Sequence, residues 1–258
     1  MEQKFFFFDI DNTLAVWPEG KIPDSAQYCI DELQRRGHLV SIATGRIQVD
    51  AMRFAEQARI TNVVADGGHS ITIDGNLVSM IGMNRDMCIQ YLEYLESKHI
   101  PWAVTDRNKL GRITPYKEIL EWHPDWDVFK TVVDPEFDFH SVEDFYKIYV
   151  FFKDGEEEEK DIEHMTHKLI RHGDGCVLYE PMEKALGIRD MIGHFDMKPN
   201  QVVVFGDGYN DLSMFRPEWL NIAMGNARPE LKLEADYVTT DCDKDGIYNA
   251  CKHFGWID

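Results

Sequence analysis

The sequence predicts an α/β fold, a parallel sheet covered by helices and interrupted by an α+β insert of about a hundred residues. Three observations predict it. Residues 4–10 form a short continuous apolar run, which suits a central parallel strand buried on both faces. Helical and strand-like patterns alternate from there to Ala65 and again after Glu183. Between those stretches the alternation breaks at residues 70–81, where two extended runs flank Asp74-Gly75-Asn76 as in an antiparallel hairpin.

Phe5-Phe6-Phe7-Phe8 runs straight into Asp9, which places that carboxylate at the carboxyl end of the first strand. After a loop with Pro18, Gly20 and Pro23, Asp24 is expected to cap a helix reaching about Arg36, with Ile30 and Leu33 inward and Gly37 as its stop. A strand at 38–43 is closed by Thr44-Gly45-Arg46, and a helix at 49–58 leads to a third strand at 62–65. Such a β-α-β-α-β order calls for right-handed crossovers and a site outside the carboxyl ends of the strands. The insert reads as helices at 85–98 and 157–171 with strands at 102–105, 128–133, 146–152 and 176–179. A helix then follows with Ala185, Ile188, Met191, Ile192 and Phe195 on one face, before an apolar strand at 201–205 that ends at Gly206-Asp207-Gly208. A short helix at 211–215, strands at 220–223 and 237–239 and a helix at 246–253 finish the chain. Residues 1–82 and 183–258 are therefore expected to form the core and 83–182 the insert.

With 258 residues and 44% hydrophobic content the chain can bury a substantial core. Its 46 acidic and 27 basic residues give a net charge of −19, which argues against nucleic acid and anionic membranes as partners. An anionic substrate needs local help against that field, such as a metal ion. The acidic block at 156–160 reads as a solvated helix start. Cys29, Cys88, Cys176, Cys242 and Cys251 are scattered and lack any Cys-x-x-Cys pair, which fits thiols in a reducing cytoplasm rather than disulfides or zinc. The phenylalanine run is too short for a signal segment or a membrane span.

Four clusters carry chemistry. Asp9-Ile10-Asp11-Asn12-Thr13-Leu14 sets two carboxylates at i and i+2 beside a hydrophobic strand; turn chemistry also produces Asp-x-Asp, but a bound cation would resolve the charge. Gly206-Asp207-Gly208-Tyr209-Asn210-Asp211 repeats the pattern, and the two together suit Mg²⁺. Thr44-Gly45-Arg46 offers a hydroxyl and backbone N–H groups ahead of a helix, a phosphate seat if anything binds there. Lys184 opens a helix, where a lysine is ordinarily solvated and the dipole mildly disfavours it.

In this order and spacing the clusters resemble the four motifs of haloacid dehalogenase superfamily phosphatases, in the Cof-type branch (subfamily IIB) with a C2 cap inserted after the second motif. The likeness spans essentially the whole chain, and four motifs in order are far more specific than one. Asn12 stands where that family usually has glycine, and Asp66-Gly67-Gly68 replaces its usual Asn-Gly-Ala, adding an acid near the site. The resemblance implies a Rossmann-like three-layer core, a cap that closes over the mouth, and a Mg²⁺-dependent phosphatase working through an aspartyl-phosphate. It implies Asp9 as nucleophile and Asp11 as a general acid/base that holds a proton. Mg²⁺ would sit on the Asp9 carboxylate, the Asp11 carbonyl, Asp207 and, directly or through water, Asp211. Lys184 would pair with both Asp9 and the phosphoryl oxygens, and phosphate would also be held by Thr44, Asn210 and the Ile10 and Gly45 N–H groups. Arg107, Lys109 and Arg112 are candidate cap contacts, although a solvated loop explains them as well. The implied substrate is a small phosphate ester: a sugar phosphate, a nucleotide or a cofactor phosphate. The implied protein is a cytoplasmic monomer or homodimer. A phosphomutase or phosphotransferase would share the intermediate, and a regulatory protein that binds a phosphorylated metabolite without turnover is the rival of another class.

Overall fold

The computed structural model describes residues 2–125, 128–153, 156, 161–162, 169–173 and 175–258. The chain divides into two compact units, Met1–Met80 with Met182–Asp258, and Ile81–Pro181.

The first unit begins with β1 (Phe5–Phe8), α1 (Asp24–Arg35), β2 (Leu39–Ala43), α2 (Gln48–Ala58), β3 (Asn62–Ala65), β4 (Ser70–Ile73) and β5 (Asn76–Met80). All four phenylalanines of β1 are fully buried, because the strand pairs in parallel with a neighbour on each side and is covered on both faces. Alternation sorts the rings: Phe6 meets Trp256 edge-on at 4.8 Å on one face, and Phe5 meets Phe195 at 5.3 Å on the other. Each buried ring contributes roughly 1.5–3 kcal/mol of burial free energy, so this strand anchors the core. Asp24 is the first helical residue of α1 rather than its cap, with its acid in the first turn where the dipole favours it. Gly37, at φ +83°, ends that segment as expected. The β4–β5 hairpin turns on two residues, Asp74 and Gly75, both at positive φ, as a type I′ turn requires.

The second unit holds α3 (Arg85–Ser97), β6 (Trp102–Thr105), β7 (Gly111–Thr114), α4 (Ile119–Trp122), β8 (Lys130–Val133), β9 (Lys147–Phe151), β10 (Leu169–Gly173) and β11 (Cys176–Tyr179). Its sheet runs β10-β11-β9-β6-β7-β8, antiparallel except for β7 with β8. Period-2 alternation sends Ile148 and Val150 to the cluster with Leu92 and Leu95 of α3, and Tyr149 and Phe151 to a second cluster with Ile119. Two expectations change here. The helix read over 157–171 gives way to strand β10 from Leu169 onward, paired with β11, while 157–160 and 163–168 lie outside the described residues. Arg112 is not on a solvated loop but on β7, 1% exposed, with the Phe129, Tyr149 and Phe151 rings 4.9–5.6 Å from its guanidinium carbon. Arg107 and Lys109 both pair with Asp106.

The first unit is completed by α5 (Lys184–His194), β12 (Val202–Gly206), β13 (Leu220–Ala223), α6 (Pro229–Leu233), β14 (Tyr237–Val238) and α7 (Gly246–His253). Its sheet order is β14-β13-β12-β1-β2-β3-β4-β5, parallel from β14 to β3 and antiparallel through the hairpin. Together the units form the α/β core with an α+β insert that the sequence predicts. Among the described residues no helix is long and apolar enough to cross a membrane.

Candidate active site

Register assembles the site. Phe8 stands opposite Ile42 on one side and Phe205 on the other, so Asp9, Thr44 and Asp207 leave neighbouring parallel strands at one edge of the sheet. The Asp9 N–H still donates to the Phe205 carbonyl at 3.0 Å, which fixes the carboxylate's root at the sheet's last rung. From there the chain makes one helical turn, in which the Leu14 and Ala15 N–H groups donate to the Ile10 carbonyl at 3.0 and 2.8 Å. Asn12 sits at φ +57°, a region that asparagine tolerates better than other side-chain-bearing residues, which explains how it stands in for glycine. Its side-chain oxygen accepts the Trp17 N–H at 3.3 Å.

Lys184 is the largest departure from its solvated reading. It is 0% exposed, and its ammonium donates to Asp9 Oδ1 and to Asp211 Oδ1, both at 2.6 Å. Burial works against the charged form, but Asp211 and Asp9 outweigh it and hold the lysine above its ordinary value. The reach depends on α5 docking closely. A Cβ on Gly187 would lie 2.5 Å from Val64 Cγ1, and one on Gly68 would lie 2.3 Å from the Glu183 carbonyl oxygen.

Asp211 is also fully buried and uses both oxygens: Oδ1 takes Lys184, and Oδ2 takes the N–H groups of Asp207 and Gly208 at 2.8 Å each. Gly206 makes room for it, since a Cβ there would meet that carboxylate at 2.7–2.8 Å. Asp207 accepts the Thr13 hydroxyl at 3.4 Å, and its carboxyl is pushed up to about 7 by burial and by the nearby Asp211 charge. Burial, then Asp211, likewise raise Asp9 well above the carboxylate range despite Lys184. Asp9, Asp207 and Asp211 each bring an oxygen within 4.8 Å of the others. Four carboxylates, counting Asp11, meet two cations, Lys184 and Arg46; this surplus of hard oxygen donors fits a divalent cation such as Mg²⁺.

Arg46 is the residue that sequence reasoning left without a role. Its Nη2 and Nε grip Asp11 Oδ1 and Oδ2 at 2.7 and 3.0 Å, and its Nη1 reaches Asp50 at 2.6 Å. Burial disfavours its charge, yet bonds and attraction to Asp11 and Asp50 hold it above its ordinary value. Its position next to Thr44 and Gly45 was the available signal; 35 residues separate it from Asp11. Thr44 is 1% exposed, and its hydroxyl oxygen accepts the Arg46 N–H at 3.1 Å, leaving the hydroxyl proton as a donor. Gly45 follows at the same strand end, while half-buried Asn210 tucks its side-chain oxygen against Gly208. Asp66, expected to add an acid to the site, is 1% exposed and accepts the Gln48 N–H at the start of α2 at 3.0 Å, a structural use of the charge. Asn226 went unnoticed: its amide donates to the Asn12 carbonyl at 2.9 Å and to Asp207 at 3.5 Å.

A family model described as haloacid dehalogenase-like hydrolase matches residues 6–251. The chain is 30% identical to YkrA of Bacillus subtilis, which carries a provisional phosphatase name, over 100% of both proteins. It is 28% identical, over 99% of its length, to a Streptococcus pyogenes protein provisionally named a bifunctional phosphatase and peptidyl-prolyl cis-trans isomerase, and spans 54% of that protein. A solved haloacid dehalogenase subclass IIB sugar phosphatase is 27% identical, with a TM-score of 0.79 over 99% of this chain and 100% of that one. The chain belongs to the haloacid dehalogenase-like hydrolases, as a phosphatase-type member of subclass IIB.

Proposed function

We propose that the protein hydrolyses a small phosphorylated metabolite, a sugar phosphate, nucleotide or cofactor phosphate, through a phosphoryl group carried on Asp9. One observation carries the reading: Asp9, 5% exposed at the end of the central strand, is held by a buried lysine inside a cluster of carboxylates. A structural salt bridge needs one acid per lysine, and the additional acids destabilise the fold unless a cation offsets their charge; that cation in turn can draw an anionic ligand to the site.

Asp9 and Asp207 are the proposed holders of Mg²⁺, with the Asp11 carbonyl as a further oxygen and Asp211, its two oxygens already engaged, acting directly or through water. The ion's contribution is to neutralise the carboxylates against an incoming phosphate dianion. Asp9 attacks phosphorus in line, forming the Asp9–phosphorus bond as the bond to the ester oxygen breaks. Asp11 gives its proton to that departing oxygen and then takes one from the water that displaces phosphate from Asp9. Both Asp11 oxygens accept hydrogen bonds from Arg46 at the exposed side of the cluster, so to act as the acid Asp11 releases at least one of them and turns it, carrying the proton, toward the ester oxygen. Lys184 offsets the charge spread over Asp9 and the phosphoryl oxygens, and Thr44, Asn210 and the Ile10 and Gly45 N–H groups serve as preorganised donors. The test is turnover of p-nitrophenyl phosphate with Mg²⁺: Asp9→Asn is expected to lose at least about a thousandfold in kcat with unchanged melting cooperativity. Full activity in that variant, or in excess EDTA, would refute the reading.

A further inference from the structure

The second unit holds a cavity of about 570 Å³, built entirely by residues between Glu93 and His140. Trp102, fully buried, lies at its base, and the Tyr116, Phe137 and Phe139 rings pack around the indole with centroids 5.8, 6.2 and 5.3 Å away. Tyr116 and Phe137 are half-buried, so part of each ring is left for a ligand. Glu96 of α3 stands among these rings: its Oε1 accepts the Trp102 indole N–H at 2.8 Å and the Tyr116 hydroxyl at 2.7 Å. Two neutral donors thus fix the carboxylate without neutralising it. Among the described residues no lysine or arginine pairs with Glu96 or stands over these rings, and none lines the cavity. The other two acids, Glu93 and Asp138, share His140 at 3.2 and 2.9 Å. Three carboxylates against one imidazolium still leave the cavity with an excess of negative charge. The wall is fixed beforehand, because the Arg85 guanidinium donates to the Val142 and His140 carbonyls at 2.8 and 2.5 Å and pins that segment to α3.

We infer that this cavity binds a small quaternary ammonium ion, an activity that the phosphatase reading neither supplies nor requires. Its volume falls within the range of small-molecule sites, about 300–1,000 Å³. Aromatic faces attract a cation through the ring quadrupole, and more strongly once water is excluded. Glu96 supplies the counter-charge, and no side-chain cation of the protein competes for it. The hydrogen-bonding inventory selects the kind of cation. A primary ammonium brings three donors, but Glu96 Oε1 already takes two and His140 engages Glu93 and Asp138. A quaternary ammonium brings none, and its methyl groups suit walls of aromatic rings and prolines, Pro115 and Pro135. With the wall and the carboxylate held in place, binding costs little ordering entropy.

The test is a saturation-transfer NMR titration of the full-length protein with choline and with its neutral isostere, in which carbon replaces the nitrogen; both are read by their methyl singlet. Wild type is expected to bind choline with a Kd of about 1 mM or below, and the isostere at least about tenfold more weakly. Glu96→Gln keeps an acceptor for Trp102 and Tyr116 and removes the charge; it is expected to weaken choline about tenfold and to leave the isostere unchanged. Phe137→Leu keeps apolar volume and removes a ring face, and is expected to weaken choline about threefold to fivefold. The comparison of choline with the isostere on wild type stands even if a variant fails to fold. No choline binding up to about 20 mM would overturn the inference. Equal affinity for choline and the isostere would overturn it by making the cavity merely apolar, and undiminished choline binding in folded Glu96→Gln would remove the counter-charge. Butylammonium binding more tightly than choline would overturn the quaternary class.

Discussion

A lysine with no route to water lies between two buried carboxylates at position 184, and the chemistry of the site turns on that placement. Removing it leaves Asp9 and Asp211 buried without their counter-ion. Lys184→Met is therefore expected to lose about 3–5 kcal/mol of stability in the metal-free protein, with activity lost as well; a chemical melt showing less than 1 kcal/mol of change would contradict the ion-pair geometry. Asp207 gives a pH signature. Its carboxyl titrates near 7 in the fold against 3.8 ordinarily, so the folded chain binds that proton more tightly than the unfolded one. Stability from this group is therefore present at low pH and is lost as pH rises from about 4 to about 7. Metal-free Asp207→Asn is expected to melt several degrees above wild type at pH 8 and little above it at pH 5, the order reversing at pH 8 in saturating Mg²⁺. Scanning calorimetry at the two pH values decides this. A wild type that melts above the variant at pH 8 without metal would contradict the burial argument.

Among the elements, α5 matters most to the site because its first residue is Lys184. Its approach to β3 depends on two glycines, and Gly187→Ala would set a Cβ within 2.7 Å of both Val64 and the Gly68 carbonyl. That variant is expected to lose about 1–3 kcal/mol of stability and at least tenfold in kcat as Lys184 shifts from Asp9. Unchanged kcat would show that α5 docking and lysine placement are independent. Much at this scale was legible in advance. The strands at 102–105, 176–179 and 220–223 and the helix at 246–253 match the structure residue for residue, since apolar runs and turn residues bound them clearly. Strand β7 was not legible, because Gly111 and Arg112 carry no alternating apolar signal; the arginine is buried by aromatic rings that reach it only in the folded sheet. Asp24 failed for another reason, since a cap depends on what stands nearby in space; helix periodicity likewise did not show that Lys184 is buried, and only the motif resemblance pointed to its pairing with Asp9.

For the molecule as a whole, motif order foretold that four distant segments converge, and parallel register explains why three of them do. The pairing of Arg46 with Asp11 was invisible because neither residue type nor spacing announces a contact 35 positions apart. The net charge of −19 adds a general opposition to anionic ligands, so metal removal is expected to abolish substrate binding as well as turnover. Equilibrium dialysis with a slowly hydrolysed phosphonate, with and without EDTA, measures this directly, and binding that survives EDTA would place the charge compensation elsewhere. The central claim concerns Asp9 alone. Acid quenching during turnover, followed by mass spectrometry of the peptide that contains Asp9, is expected to find one phosphoryl group on that residue and none in Asp9→Asn. Sustained turnover with the Asp9 peptide unmodified at every quench time would contradict it.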